Sequence, residues 1–589
     1  MNPTSLRDLL VMLIAAGSLL LLFAPSLQQA MVATLDPTTL GDDARQQIPP
    51  IYLDNDLARF SRAIDVTYYK DMLPIGYKWL YRMALHFLDV VTFSKWLTWI
   101  LFGIFLYFIA LCSYRLGGVW AAWATLAFIL SSGIHLSAMA GGLPRSFAPP
   151  AIAALAWMLT TDRVFLMALL TIATAAFYPV ASVICGFSFA TRLLLLPIFD
   201  KTVAPHPAAW SLRKKFALLA MTAMATLLFM LPQFFSAEAG RHGSLLTIED
   251  CATFPEIGPE GRYGGDGICT PRDSLPRALV SLSAHGISDF RQGQPWSETL
   301  RRLGHFKLMI WNFSRDEVVI GMLWLTILAA AHLLLARPKI RRLSIIIVAG
   351  AFCFLLAQVY LPYLYLPQRY LEHTASIFLV IVLPVAASTL ALACQRRFFQ
   401  GNHNPAMVGF LAILLLVTTS LLFLGGKGNA TAGFSLTTRH QSALIDFISR
   451  LPEDSLIAGW PRGPTNHLSL TAKQSVFLAK ETHQAFHRDI TLTMRQRMFD
   501  LIDAFHATTP EPLLRLRDRH GVTHLIFDRN VSTQNKPMKY FAPFQTHIAS
   551  RFAQSGNRAG VELERQIPFA EIFRDATHSV LDLTRIHDK

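Results

Sequence analysis

Two adjacent carboxylates, Asp42 and Asp43, open the segment that follows the first long apolar run, in the sequence Gly41-Asp42-Asp43-Ala44-Arg45. Carboxylates beside a membrane surface can take a proton from an acceptor hydroxyl or ligate a divalent metal, and the same pair also fits a solvated cap on the helix that follows. Two isolated arginines carry complementary chemistry. Arg145 lies in Gly141-Gly142-Leu143-Pro144-Arg145-Ser146-Phe147, and Arg369 in Leu366-Pro367-Gln368-Arg369-Tyr370-Leu371-Glu372-His373. A guanidinium fork matches a phosphate group, with an interfacial anchor as the competing role. Lys70, in Tyr69-Lys70-Asp71, is a third candidate cation, and Tyr178-Pro179 adds polar groups at another turn. His483 and His487 stand four apart near Glu481. That is metal-ligand spacing on a helix, but no third strong ligand is identifiable, so a surface histidine pair is the expectation. Glycine-rich phosphate loop, nucleophile elbow and paired-cysteine zinc motif are all missing from the sequence, which argues against a nucleotide-hydrolysing motor.

The elements that must position these residues are mostly membrane spans. Of 589 residues 52% are hydrophobic and only 16% charged, at a mean hydropathy of +0.38, against about 25% charged in an ordinary soluble domain. Apolar windows long enough to cross a bilayer fall near 9–29, 95–114, 118–137, 146–161, 164–179, 181–198, 216–235, 317–336, 343–363, 374–394 and 406–425. Tyr178-Pro179 interrupts the 164–198 stretch and calls for a tight turn or a kink. With the N-terminus inside, fourteen Lys and Arg fall in short inner loops (Arg7, Arg115, Arg163, Arg192, Lys201, Arg213, Lys214, Lys215, Arg337, Lys339, Arg341, Arg342, Arg396 and Arg397) and two, Arg145 and Arg369, in short outer ones. The positive-inside bias then sets the orientation. It also accounts for the net charge of +14 without nucleic acid.

Eleven spans place the outer loops 30–94 and 236–316 and everything after about 426 on one outer face. The first loop has apolar residues at helical spacing over 72–88, suited to lying along the membrane surface. The second holds Cys251 and Cys269, which in an oxidising compartment read as a disulfide. The C-terminal block reads as a small α/β unit: a helix over 441–451, a strand over Leu456-Ile457-Ala458-Gly459, a helix over 513–520 ended by Gly521, and a buried strand over 522–527. The expected fold is thus an α-helical polytopic membrane protein of about eleven transmembrane helices (1–425) with a C-terminal extracytoplasmic α/β domain (426–589).

This distribution resembles the GT-C superfamily of membrane glycosyltransferases that use polyprenyl-phosphate-linked sugars, and the entry to the C-terminal segment looks like the outer domains of bacterial members. Asp42 and Asp43 sit where the family's acidic motif follows the first span. The resemblance implies transfer of a sugar from a polyprenyl-phosphate donor to an acceptor hydroxyl of a glycan, lipid or protein at the outer face of the plasma membrane. Asp43 or Asp42 would be the base, with Arg145, Arg369 and Lys70 as donor phosphate contacts. No second acidic motif stands out in the later outer loops, so a metal-independent transferase is favoured; a divalent metal is the one cofactor the acidic pair would accommodate. The rival readings are a transporter or lipid flippase of envelope precursors, and a non-catalytic envelope assembly factor.

Overall fold

The computed structural model of the chain describes residues 6–53, 57–132, 134–195, 210–235, 239–263, 269, 338–360, 366–398, 432–484, 486–529, 537–555 and 567–586. The expected spans near 317–336 and 406–425 lie outside the described residues.

Among the described residues, four helical stretches are long and apolar enough to cross a membrane: Val90–Leu130, Leu212–Leu231, Pro338–Val359 and Gln368–Ala386. The first belongs to Val90–Ser132, where Gly118 adopts φ 79°, so two helices meet at this left-handed residue. Only glycine takes that conformation without strain. The helix Leu6–Leu35 precedes them. Val164–Phe177 and Pro179–Ala190 pack together as a helical hairpin. Tyr178 is extended (φ −154°, ψ 98°) and Pro179 starts the second helix. The expected break is therefore a tight turn, because the residue before proline is driven out of the helical region. Across the hairpin the Ser182 hydroxyl donates to the Thr171 carbonyl at 2.7 Å.

The segment 72–88 differs from its expectation. Pro74 divides it, Leu73 being extended, and the helix is Ile75–Ala84. Its stripe of Tyr77, Tyr81 and Ala84 is buried against the protein, while Ile75, Trp79 and Met83 are the exposed side chains. The reason is Gly76: a Cβ there would lie 2.8 Å from the Ala176 carbonyl oxygen, so the helix sits directly on the 164–190 hairpin.

After the last described span, strand β2 (Leu436–Thr437) pairs antiparallel with β1 (Thr39–Leu40) and ties the start of the first outer loop to the C-terminal region. There a five-stranded sheet has the order β4-β3-β5-β7-β6, with β3 Leu456–Gly459, β4 Ser475–Val476, β5 His524–Asp528, β6 Glu571–Arg574 and β7 His578–Asp582. β3 is parallel to β4 and β5, and β7 is antiparallel to β5 and β6. Alternate residues of β3 and β5 face opposite layers, as the period of two requires. Leu456, Ala458, Leu525 and Phe527 join Met494, Met498, Leu501, Leu513 and Leu516 from the helices Arg488–Phe505 and Glu511–His520. Ile457 and Ile526 join Leu444, Ile448 and Leu468 on the other face. Gly521, at φ 69°, ends the helix Glu511–His520 as expected.

The Asp43–Arg145 cavity, a candidate active site

Two turns that are a hundred residues apart in sequence meet at the site. Gly141 (φ 83°) and Gly142 (φ 56°) both occupy the left-handed region. A Cβ on Gly142 would stand 2.9 Å from the Ser94 carbonyl oxygen and from Leu97 Cβ, and one on Gly41 would touch the Gly141 backbone at 3.5 Å. The glycines thus let the two loops touch each other. The Tyr81 hydroxyl donates to the Gly141 and Gly142 carbonyls at 3.2 and 2.9 Å, and the Gly141 N–H donates to Thr98 Oγ1 at 3.0 Å.

With the turns so held, Arg145 Nη2 lies 2.9 Å from Asp43 Oδ2; these side chains are 37% and 25% exposed. Asp42, 59% exposed, instead accepts from Arg45. The two carboxylates are thereby separated: one residue of helical phase is about 100°, and residues 43–47 turn as a short helix with the Gln46 N–H donating to the Asp43 carbonyl at 3.1 Å. Asp43, Arg145 and Arg369 all line one cavity of about 830 Å³. Arg369 Nη1 is 3.4 Å from the Tyr178 hydroxyl, and Tyr178 lines the same cavity. Lys70 is in the last turn of Ile64–Met72 and is not among the lining residues. The lower wall is apolar, formed by Val180, Val183, Leu227, Met230 and Leu231. On the helix that supplies the last three of these, Met221, Met224 and Leu228 are exposed.

The C-terminal domain closes the upper wall with Gln484, Phe486 and His487, beside Tyr68 and Tyr69 of the first outer loop. The expectation of a surface histidine pair at His483 and His487 is corrected here. Neither histidine lies on a helix: Glu481 and Thr482 are in a turn, His483 is in no regular element, and His487 stands just before the helix Arg488–Phe505, so spacing of four places no common face. The Thr482 hydroxyl, donating to the buried Asp65 at 2.6 Å, holds this turn inward. His483 is buried, with Nδ1 3.1 Å from the Tyr540 hydroxyl, and burial lowers its pKa to about 3. His487 Nδ1 lies 3.0 Å from the Tyr68 hydroxyl, and burial first and the nearby His242 second lower it to about 4.

Glu481 is the functional neighbour that no sequence signal placed. Its Oε2 is 3.4 Å from Arg45 Nη2 and 3.5 Å from Arg262 Nη2. Burial raises its pKa, with Arg262 pulling the other way. These three carboxylates are therefore matched to guanidinium groups: Asp42 and Glu481 to Arg45, Asp43 to Arg145. A divalent cation would meet positive charge at each one, and among the described residues no three His, Cys, Asp or Glu side chains are grouped to hold a metal. That donor set does not fit a metal centre.

Residues 239–263 strap the upper wall in place. The Leu246 N–H donates to the Phe486 carbonyl at 2.7 Å and the Arg488 N–H to the Ser244 carbonyl at 2.9 Å. Arg495 is bidentate on the buried Glu256 at 2.6 and 2.7 Å. Cys251 and Cys269 are joined as a disulfide.

Fold and site together define a helical multi-span membrane protein whose C-terminal sheet-bearing domain contributes Gln484, Phe486 and His487 to the wall of a mostly apolar cavity. No family model matches the sequence, and no curated protein does. Among solved structures the chain is similar to an oligosaccharyltransferase from Archaeoglobus fulgidus in its apo form, at 12% identity and a TM-score of 0.49 over 90% of this chain and 70% of that one. The same enzyme tethered to an acceptor peptide gives 12% and 0.48 over 95% and 72%. ArnT from Cupriavidus metallidurans, in the apo state, gives 12% and 0.36 over 97% and 98%.

Proposed function

We propose that the chain is a membrane glycosyltransferase of the GT-C type, transferring a sugar from a polyprenyl-phosphate donor to an acceptor hydroxyl, with Asp43 rather than Asp42 as the base. The observation that carries this reading is the meeting of Asp43 and Arg145 at 2.9 Å in a cavity that Arg369 also lines and whose lower wall is apolar. An amphipathic donor needs those two halves: cations for its phosphate and hydrocarbon for its chain. Among the described residues Arg145 Nε has no hydrogen-bond partner, and together with Arg369 and the Tyr178 hydroxyl it supplies donors for phosphate oxygens. Lys70 stands off this group and contributes no direct contact in this reading.

In the proposed reaction Asp43 accepts the proton of the acceptor hydroxyl as its oxygen bonds to the anomeric carbon. The anomeric C–O bond to phosphate breaks, and the polyprenyl phosphate leaves as an anion stabilised by the two arginines. The Arg145 pair holds the Asp43 carboxylate in place until the donor phosphate competes for the guanidinium. About eleven spans, an inside N-terminus, a membrane part over 1–425 and an extracytoplasmic domain over 426–589 complete the proposal, and they put the cavity at the outer face.

The test is Asp43→Asn beside Asp42→Asn in the full chain in membranes, following transfer of radiolabelled sugar from a polyprenyl-phosphate sugar pool. Loss of a general base costs roughly 10²–10⁴-fold in rate. Asp43→Asn takes that loss while Asp42→Asn stays within a few-fold. Retained transfer in Asp43→Asn refutes the assignment.

A further inference from the structure

The upper half of the cavity has a chemistry of its own. Asp43, Gln46 and Gln47 all line it, and at i, i+3 and i+4 of one helical turn they share a face. The base therefore stands in a row with two amides. The same cavity is lined by the rings of Tyr68 and Phe486 and the imidazole of His487. Among the described residues, the charged ones lining the cavity are Asp43, Arg145 and Arg369, and the two that contact each other offset their charge. His487 is neutral at pH 7, since burial holds its pKa near 4. Around the ion pair the cavity thus offers a few uncharged donors and acceptors, Gln46, Gln47, Tyr68 and His487, beside aromatic faces and a larger apolar area.

Each part of that surface suits one class of molecule. A primary amide presents a donor and an acceptor side by side, which pairs with adjacent hydroxyls. Tyr and Phe rings offer flat apolar faces for the C–H side of a sugar ring. A carboxylate- or phosphate-bearing acceptor would instead meet no cation in this half, and burying its charge there unpaired is costly.

We propose that the upper half of the cavity, built by Gln46, Gln47, Tyr68, Phe486 and His487 around Asp43, is the acceptor subsite and that it takes a neutral glycan. This rests on the reading of Asp43 as the base for its role in transfer, but the binding of a neutral glycan stands without it. Tyr68 is a positioning residue as well as part of the wall: its hydroxyl meets His487 Nδ1 at 3.0 Å and accepts from the Phe486 N–H at 3.2 Å. One hydroxyl thus sets both the imidazole and the aromatic ring on the C-terminal side.

The experiment uses the fluorescently labelled full chain in detergent on a printed array of neutral and of acidic glycans, with wild type, Gln47→Ala, Gln47→Glu, Tyr68→Phe and Asp43→Asn side by side. Wild type is expected to bind neutral glycans and not acidic ones. Gln47→Ala weakens that binding roughly tenfold, as the loss of one or two hydrogen bonds implies, and Gln47→Glu abolishes it. Tyr68→Phe weakens it about as much as Gln47→Ala does, with the melting temperature kept. Asp42→Asn, at a residue that does not line the cavity, is added as the control and binds neutral glycans as wild type does. If Asp43→Asn binds normally and also transfers normally, the catalytic reading fails while the subsite stands. Preference for acidic glycans, no glycan binding at all, or neutral-glycan binding unchanged in both Gln47 variants overturns the subsite.

Discussion

Gly142→Ala is the perturbation whose outcome the geometry fixes most tightly. At φ 56° an alanine sits in the left-handed region, at a cost of roughly 1–2 kcal/mol. Its Cβ would also lie 2.9 Å from the Ser94 carbonyl oxygen, which is backbone, and 2.9 Å from Leu97 Cβ, which cannot rotate away. Overpacking of that kind adds roughly 1–3 kcal/mol, for a total of about 2–5 kcal/mol, a large share of the ~5–15 kcal/mol that holds a typical domain. The strain is relieved only by moving the 141–145 turn outward, which draws Arg145 away from Asp43. Gly103→Ala is the internal control. That glycine is helical and exposed, and nothing lies within 4 Å of its Cβ position, so alanine there gains up to about 1 kcal/mol. The assay is thermal unfolding of the full chain in detergent, paired with sugar transfer in membranes. Gly142→Ala should melt well below wild type and transfer slowly, and Gly103→Ala at or above wild type with full activity. A Gly142→Ala protein that melts with the control would refute the close contact between the 141–145 turn and the helix under it.

Acid should destabilise the C-terminal domain through His483. Its folded pKa is about 3 against 6.5 in the open chain, so the unfolded state binds the extra proton and stability falls as pH drops below 6.5. At pH 5 the loss is about 2 kcal/mol. His483→Phe, which fits among Phe541, Phe544 and Tyr540, should flatten the melting temperature between pH 7 and 5; an unchanged slope would contradict the burial of that imidazole. Cys251→Ser removes a link spanning 18 residues, worth about 3 kcal/mol by loop closure. Limited proteolysis should then cut the 239–263 strap sooner, and equal cutting in both proteins would count against its being held by the bond.

The sequence by itself determined what depends on neighbours along the chain. Apolar windows marked the helices, and Tyr178-Pro179 marked a turn because proline restricts the residue before it whatever the context. Leu456-Ile457-Ala458-Gly459 and Gly521 marked a strand and a helix end that the C-terminal domain contains. The disulfide partners followed from there being two cysteines outside the apolar segments. Candidate chemistry was also visible as residue types: an acidic pair and two isolated arginines.

Only the tertiary structure decided which of those groups meet. Asp42 and Asp43 are equivalent in composition, and the direction in which one helical turn sits on Gly141 separates the residue at the cavity from the one on Arg45. Tyr68, Glu481 and His487 lie some 25 to 440 residues along the chain from Asp43, and β1–β2 pairing with the 239–263 strap brings them to its neighbourhood. The stripe over 72–88 showed its helical period but not which side would be covered, because both faces are apolar and Gly76 on the 164–190 hairpin chose between them. Periodicity is a property of a few adjacent residues, whereas a site is a set of contacts between distant ones, made where packing leaves a single arrangement without overlap.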